Sequence, residues 1–228
     1  MIRSTSVRQR LATAVLLLAA TVPSALTAQN KFAFTPWVGS FFSVADYYND
    51  NFDLTTIGGT GTTNITVSQE NTVMFGARIT LPVTATIAAE GSFGYSSSNV
   101  RFVIKDPNQN GGFDFATTQK GSVLIGSLRA VIKPRRSNLS LILGGIVVKH
   151  GGKFWDDPAL DGKLTNFGGV AGIGLRANVT PRFPIDIRAE GNFYKFNPDK
   201  GDNASLGFYP GKMQSDLVFS VGVPIGGR

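Results

Sequence analysis

Nine charged residues sit within stretches that otherwise alternate small or polar with apolar side chains: Glu70, Arg78, Glu90, Arg129, Arg176, Asp186, Arg188, Glu190 and Asp216. Four arginines against five acids nearly cancel. Gathered on one side of the chain, they could close a narrow interior with ion pairs, or gate a pore if the pairs exchange partners. Folding the 178–184 segment symmetrically about residue 181 sets Arg176 opposite Asp186, with Arg188 and Glu190 in reach. The network expected is therefore Arg78, Glu90, Arg129, Arg176, Asp186, Arg188 and Glu190. Charges of this kind are costly to bury unless paired, so loss of any partner should harm folding.

A second cluster has metal-binding chemistry. Asp106, Asn108, Asn110, Gly111 and Asp114 supply oxygens at positions 1, 3, 5 and 9 and a glycine at 6, as in the opening of a calcium loop. Position 12 is Thr117 where a bidentate Glu is expected, so any site would be weak, and a turn-rich hydrophilic loop is the plainer reading. No other cofactor is expected. Asp156, Asp157 and Asp161 after Trp155 read as a solvated acidic loop.

Catalysis finds little support. The chain has no cysteine, which excludes thiol chemistry, zinc ribbons and disulfide staples. Its one histidine, His150, is followed by Gly151, Gly152 and Lys153 where an acyl-transfer site would want a serine, so it reads as a loop-base residue. Gly144–Gly145 and Gly168–Gly169 precede neither a lysine nor a helix, which removes a phosphate loop, and no basic groove with stacked aromatics suggests nucleic acid. A non-enzymatic protein is expected.

The elements that must position these residues have a period of two. Ile185, Ile187, Ala189, Gly191 and Phe193 alternate with Asp186, Arg188, Glu190, Asn192 and Tyr194, and only a strand separates those sets onto opposite faces. Similar alternation places eight strands, centred near residues 37, 75, 90, 126, 143, 171, 190 and 218. Pro36 marks the first as edge-like or bulged. The stretch 139–149 is apolar on both faces. Tight proline-containing turns at 81–84, 133–138 and 178–184 alternate strictly with long polar segments at 46–69, 99–119, 149–163 and 197–212. Three turns at one end and four loops at the other describe an all-β, eight-stranded antiparallel up-and-down barrel.

Composition and the first residues suggest where such a barrel would sit. Only 16% of the 228 residues are charged, below the roughly 25% of ordinary soluble domains. Residues 1–28 carry Arg3, Arg8 and Arg10, then an apolar run from Leu11 to Val22, and read as an export signal cut after Ala28. The run falls short of the ~20 residues of a transmembrane helix. Residues 29–228 would form the barrel domain, and the net charge of +7 drops to +4 once the three arginines leave. A water-soluble, lipocalin-like barrel would turn its apolar face inward and show charge outside, whereas here the polar face is mostly Gly, Ser, Thr and Asn. Phe41, Phe42, Tyr47, Tyr48, Tyr95, Phe102, Phe154, Trp155, Tyr194 and Phe196 gather toward the loop end as one interfacial girdle would, with Phe32, Phe34 and Phe183 as a thinner one at the turn end.

The strand-turn-strand units at 75–95 and 170–194 and the closing strand at 216–228 resemble those of small bacterial outer-membrane β-barrel proteins of the OmpA/OmpX-like superfamily. The sequence departs from that family by ending in Ile225, Gly226, Gly227 and Arg228 rather than in an aromatic residue. The resemblance implies a transmembrane barrel in the outer membrane of a Gram-negative-type bacterium. Its implied partners are outer-membrane lipids, lipopolysaccharide, the barrel assembly machinery and an extracellular ligand of the loops. The expected role is structural or surface-interactive, with a small channel for ions or solutes as the alternative.

Overall fold

The computed structural model describes residues 32–53, 55, 61–106, 113–156, 165–180, 183–196 and 213–226. The segment read as an export signal lies outside them. Eight strands form the barrel: β1 (Ala33–Ser43), β4 (Thr72–Pro82), β5 (Ile87–Ser96), β8 (Ser122–Ile132), β9 (Leu139–Gly151), β10 (Thr165–Thr180), β11 (Phe183–Lys195) and β12 (Met213–Gly222). Each pairs antiparallel with its neighbour in this order, and β12 pairs back onto β1 from Trp37↔Gly222 to Ser43↔Asp216, which closes the ring. Closure leaves this sheet no edge strand.

The strands alternate inside out. Along β11, Asp186, Arg188, Glu190, Asn192 and Tyr194 are buried while Ile187 and Phe193 are exposed, and along β12 Gln214, Asp216, Val218 and Ser220 oppose exposed Leu217, Phe219 and Val221. Leu128 is 75% exposed and Phe167 74%, values that water would penalise over so many neighbouring side chains. An apolar outer wall around a polar interior is the arrangement of a barrel in lipid and the reverse of a soluble one. No helix among the described residues is long and apolar enough to cross a membrane, and strands are the elements that span here.

Three expectations need correction. Pro36 does not make β1 an edge, since β1 is paired on both sides. Its carbonyl accepts from Val223 N at 3.1 Å, so its missing N–H points toward the same seam, at the break between β12 and the two-residue β13 (Ile225–Gly226). The ladder skips where proline cannot donate. Second, the segments 46–69 and 99–119 are not plain loops. They hold β2 (Tyr48–Asp53), β3 (Thr62–Gln69), β6 (Val100–Asp106) and β7 (Phe113–Gln119), which form a separate sheet in the order β2-β3-β6-β7 at the loop end. Their Asn, Thr and Gly content masks a real alternation, Thr63, Ile65, Val67 and Gln69 on one face of β3. Third, of the loop-end aromatics Phe41, Tyr47, Tyr48, Trp155, Tyr194 and Phe196 are buried in the interior and its cover, against which Phe102 and Phe154 pack, while half-buried Phe42 and Tyr95 stand beside exposed Phe219 and Phe75 on the outer wall. Phe32, Phe34 and Phe183 at the turn end are exposed.

The doubly apolar strand β9 is explained by the same interior. Ile142, Ile146 and Val148 point in and join Trp37, Phe41, Met74, Val123, Ile125, Val170 and Val218 in a core inside the barrel, while Leu139, Leu141, Leu143 and Val147 point out. Glycine makes room for the largest member: a Cβ on Gly94 would stand 2.9 Å from the Trp37 ring and 3.1 Å from the Met74 sulfur.

Candidate functional site

Strand register delivers the charges to one level of the lumen. Glu90 on β5 stands opposite Arg129 on β8 and opposite Thr80 on β4, and Arg188 on β11 stands opposite Ser220 on β12. Arg188 then crosses the lumen to Glu90, with Nη1 to Oε1 at 2.6 Å and Nη2 to Oε2 at 2.8 Å, a two-bond fork. Its Nε and Nη2 also reach Asp186 Oδ2 at 2.9 and 2.8 Å. Arg129 forms ion pairs with Glu190, Nη1 to Oε1 at 2.8 Å, and with Glu90, Nε to Oε1 at 3.2 Å. Arg78 donates to Ser220 at 2.5 Å, approaches Glu190 at 3.8 Å and lies over the Trp37 ring at 4.8 Å. Thr80 donates to the second oxygen of Glu90 at 2.7 Å. Three arginines and three carboxylates, all buried, thus balance one another.

Arg176 departs from this group. It holds the register expected of it, opposite Asp186, yet no ion pair joins the two. Arg188, two residues along the same face, takes the carboxylate, and Arg176 is exposed at the turn-end mouth. Glu70 also lies elsewhere, at the base of the loop-end sheet, where Asn99 donates to it at 3.1 Å.

Above the ion pairs comes the apolar core. Between the two layers, among the described residues, lies a cavity of about 20 Å³, lined by Trp37, Met74, Ile125, Arg129, Glu190 and Asn192, room for about one water. A second polar layer follows. His150, wholly buried, places Nε2 2.8 Å from the Tyr47 hydroxyl and 3.4 Å from that of Tyr194, and Tyr47 donates to Gln69. Asp216 is buried close by, within electrostatic reach of both tyrosines. Burial, reinforced by the charge of Asp216, pushes the Tyr47 hydroxyl well above its ordinary range, so it stays a neutral donor. Trp155 and Phe196 cap this layer, with ring centroids 5.2 and 5.5 Å from the His150 ring. Over them sit Ile65, Val67 and Val100 of the loop-end sheet.

The lid was the least visible part of the sequence. His150 was readable as an inward residue, because it extends the parity of Ile142, Ile146 and Val148. Nothing in the spacing announced Tyr47, Gln69 or Trp155 as its partners, since they come from two different connections, 46–69 and 149–163.

The calcium-type loop falls mostly outside the described residues. Asn108 and Asn110 are among those not described; Asp106 and Asp114 end the antiparallel strands β6 and β7, in the pairs Asp106↔Phe113 and Lys105↔Asp114. Among the described residues, no three His, Asp or Glu side chains gather to hold a metal.

No family profile matches the chain and no curated protein is similar to it. Solved structures with a similar course include the outer membrane protein OprG from Pseudomonas aeruginosa, at 11% identity over 86% of this chain and 94% of that one, with a TM-score of 0.47. The attachment invasion locus protein Ail of Yersinia pestis is 15% identical over 87% of this chain and 100% of its own, with a TM-score of 0.38. The translocator domain of the autotransporter NalP from Neisseria meningitidis is 11% identical over 97% and 98%, with a TM-score of 0.37. The fold itself rests on the closed ring of strand pairings and on the apolar outer wall.

Proposed function

We propose that this chain is an outer-membrane protein of the small OmpA/OmpX-like kind, closed to solutes and working through its loop end. The observation that carries the reading is the filled lumen beneath an added four-stranded sheet. Side chains occupy the interior from the Arg188–Glu90 level to the Trp155–Phe196 cap, so solute passage would require breaking buried ion pairs and lifting an aromatic lid. The sheet above offers a polar face. Asn64 donates to Asn49 and Asn51 at 3.3 and 3.2 Å, and its register neighbours on that side include Thr66, Ser68, Arg101 and Lys105. Amides, hydroxyls and two cations on a rigid sheet suit a hydroxyl-rich, partly anionic partner, and lipopolysaccharide is the first such molecule the face would meet.

The test is expression in a Gram-negative host, followed by gel mobility of the outer-membrane fraction with matched boiled and unboiled samples. Closed backbone hydrogen bonding resists detergent until heated, so a heat-shifted band in that fraction is expected. Whole cells treated with trypsin should lose the 101–120 segment while the barrel survives. A soluble periplasmic band with no shift would overturn the location.

A further inference from the structure

The two ends of the barrel differ in charge. Asp46, Asp53, Glu70 and Asp156 all lie at the loop end, interleaved with Arg101, Lys105, Lys120, Lys149, Lys153 and Lys195. At the turn end the described residues include the cations Lys133, Arg135, Arg136 and Arg176, and the only acid among those lining the mouth is Asp186, Glu90 lying beneath it on Arg188. Asp186 is already engaged, since its Oδ2 receives both Nε and Nη2 of Arg188.

A cavity of about 210 Å³ opens at this end. Lys133 from the β8–β9 turn and Arg176 from β10 stand at its rim, Arg188 and Asp186 line it from β11, and Thr86 and Ser140 add hydroxyls. Arg176 and Lys133 make no ion pair among the described residues, although Arg176 stands opposite a carboxylate in the ladder. The arrangement leaves two cations facing a concavity with hydroxyl donors around it. It is smaller than the ~300 Å³ lower bound of pockets for drug-sized ligands, and is the size for one compact polar group. A guanidinium fork beside an ammonium point charge recognises phosphate oxygens.

We propose that this turn-end vestibule binds a phosphate group, presented by a small soluble phosphate or by an anionic lipid headgroup of the adjoining leaflet. The unpaired Arg176 and Lys133 hold it, and the balanced Arg188–Asp186 pair forms the floor.

Calorimetric titration of the full chain, refolded in zwitterionic micelles, with pyrophosphate as the probe tests this. Saturable binding is expected, weakened about tenfold by Arg176→Gln and again by Lys133→Gln, the factor one charge-assisted hydrogen bond supplies. Lys153→Gln at the loop end should leave it within about twofold, the change expected of a distant exposed charge. Both rim residues are exposed, and an unchanged heat shift on gels confirms that the variants fold. Repeating the titration in nanodiscs containing phosphatidylglycerol separates the sources. Competition seen in the wild type and lost in Arg176→Gln assigns the headgroup, and affinity independent of the lipid assigns a soluble phosphate. No saturable binding in micelles, or binding unchanged by both rim substitutions, overturns the proposal.

Discussion

Arg188 and Glu90 meet across the lumen through two parallel bonds of 2.6 and 2.8 Å, although 98 residues separate them in sequence and three strands stand between β5 and β11 around the ring. The fork ties opposite walls of the barrel together. Because both groups are buried, its partners are needed more than the pair itself. Glu90→Gln would leave Arg188 and Arg129 short of a counter-charge and should destabilise the refolded barrel by about 3–5 kcal/mol in urea titrations. Replacing both partners, as in Glu90→Leu with Arg188→Met, should recover a large part of that loss.

The outer wall makes a second prediction with an unambiguous sign. Leu128 near the middle of β8 is, among the described residues, the most exposed large apolar side chain. Leu128→Arg should cost about 2–4 kcal/mol when the barrel is folded into a lipid bilayer. A soluble barrel would tolerate the same change almost freely, so unfolding of the variant in lipid vesicles discriminates the two environments.

Packing inside the barrel is tight where Trp37 passes Gly94. Gly94→Val adds atoms where a Cβ would already stand 2.9 Å from the indole, and overpacking should lower stability by about 1–3 kcal/mol. Loss of the Trp37 near-ultraviolet circular dichroism band should accompany it.

His150 joins the lid to the wall, touching Tyr47, Trp155, Tyr194 and Phe196 from one strand end. His150→Ala should leave the buried Tyr47 hydroxyl with one partner fewer, at a cost of about 1–3 kcal/mol. Hydrogen exchange should quicken in residues 44–53 and 152–156 while the backbone of β11 below residue 190 stays protected.

Much of this was legible in the sequence, for a physical reason. A strand in lipid separates its two faces, so six of the eight barrel strands show clean alternation, the proline-bearing β1 and the doubly apolar β9 excepted, and their charged residues announce the inner face. Three connections confined to a few proline-marked residues then fixed three of the strand pairings, and the 178–184 turn set Arg176 opposite Asp186 as found, whereas Glu90 meets Arg129 across the long 99–119 connection, whose register no turn announces. What register cannot give is the reach of a long side chain. Arg188 could have met Asp186, Glu190 or an opposite wall, and it took Asp186 and Glu90, leaving Arg176 unpaired at the rim. The loop-end sheet is hidden because Thr62–Gln69 and Phe113–Gln119 are rich in Thr with Asn, Ser, Asp and Gln, a composition that resembles loops, while the pairing of β3 depends on a partner far along the chain.

The closed lumen is the central claim, and single-channel recording of the refolded wild-type chain in planar bilayers tests it most directly. With Arg188, Glu90, Arg129 and Glu190 paired across the interior, the membrane should stay silent apart from brief noise, and Glu90→Gln with Glu190→Gln should introduce unstable current steps. A steady, reproducible conductance of the wild-type protein, insensitive to those substitutions, would contradict the closed barrel.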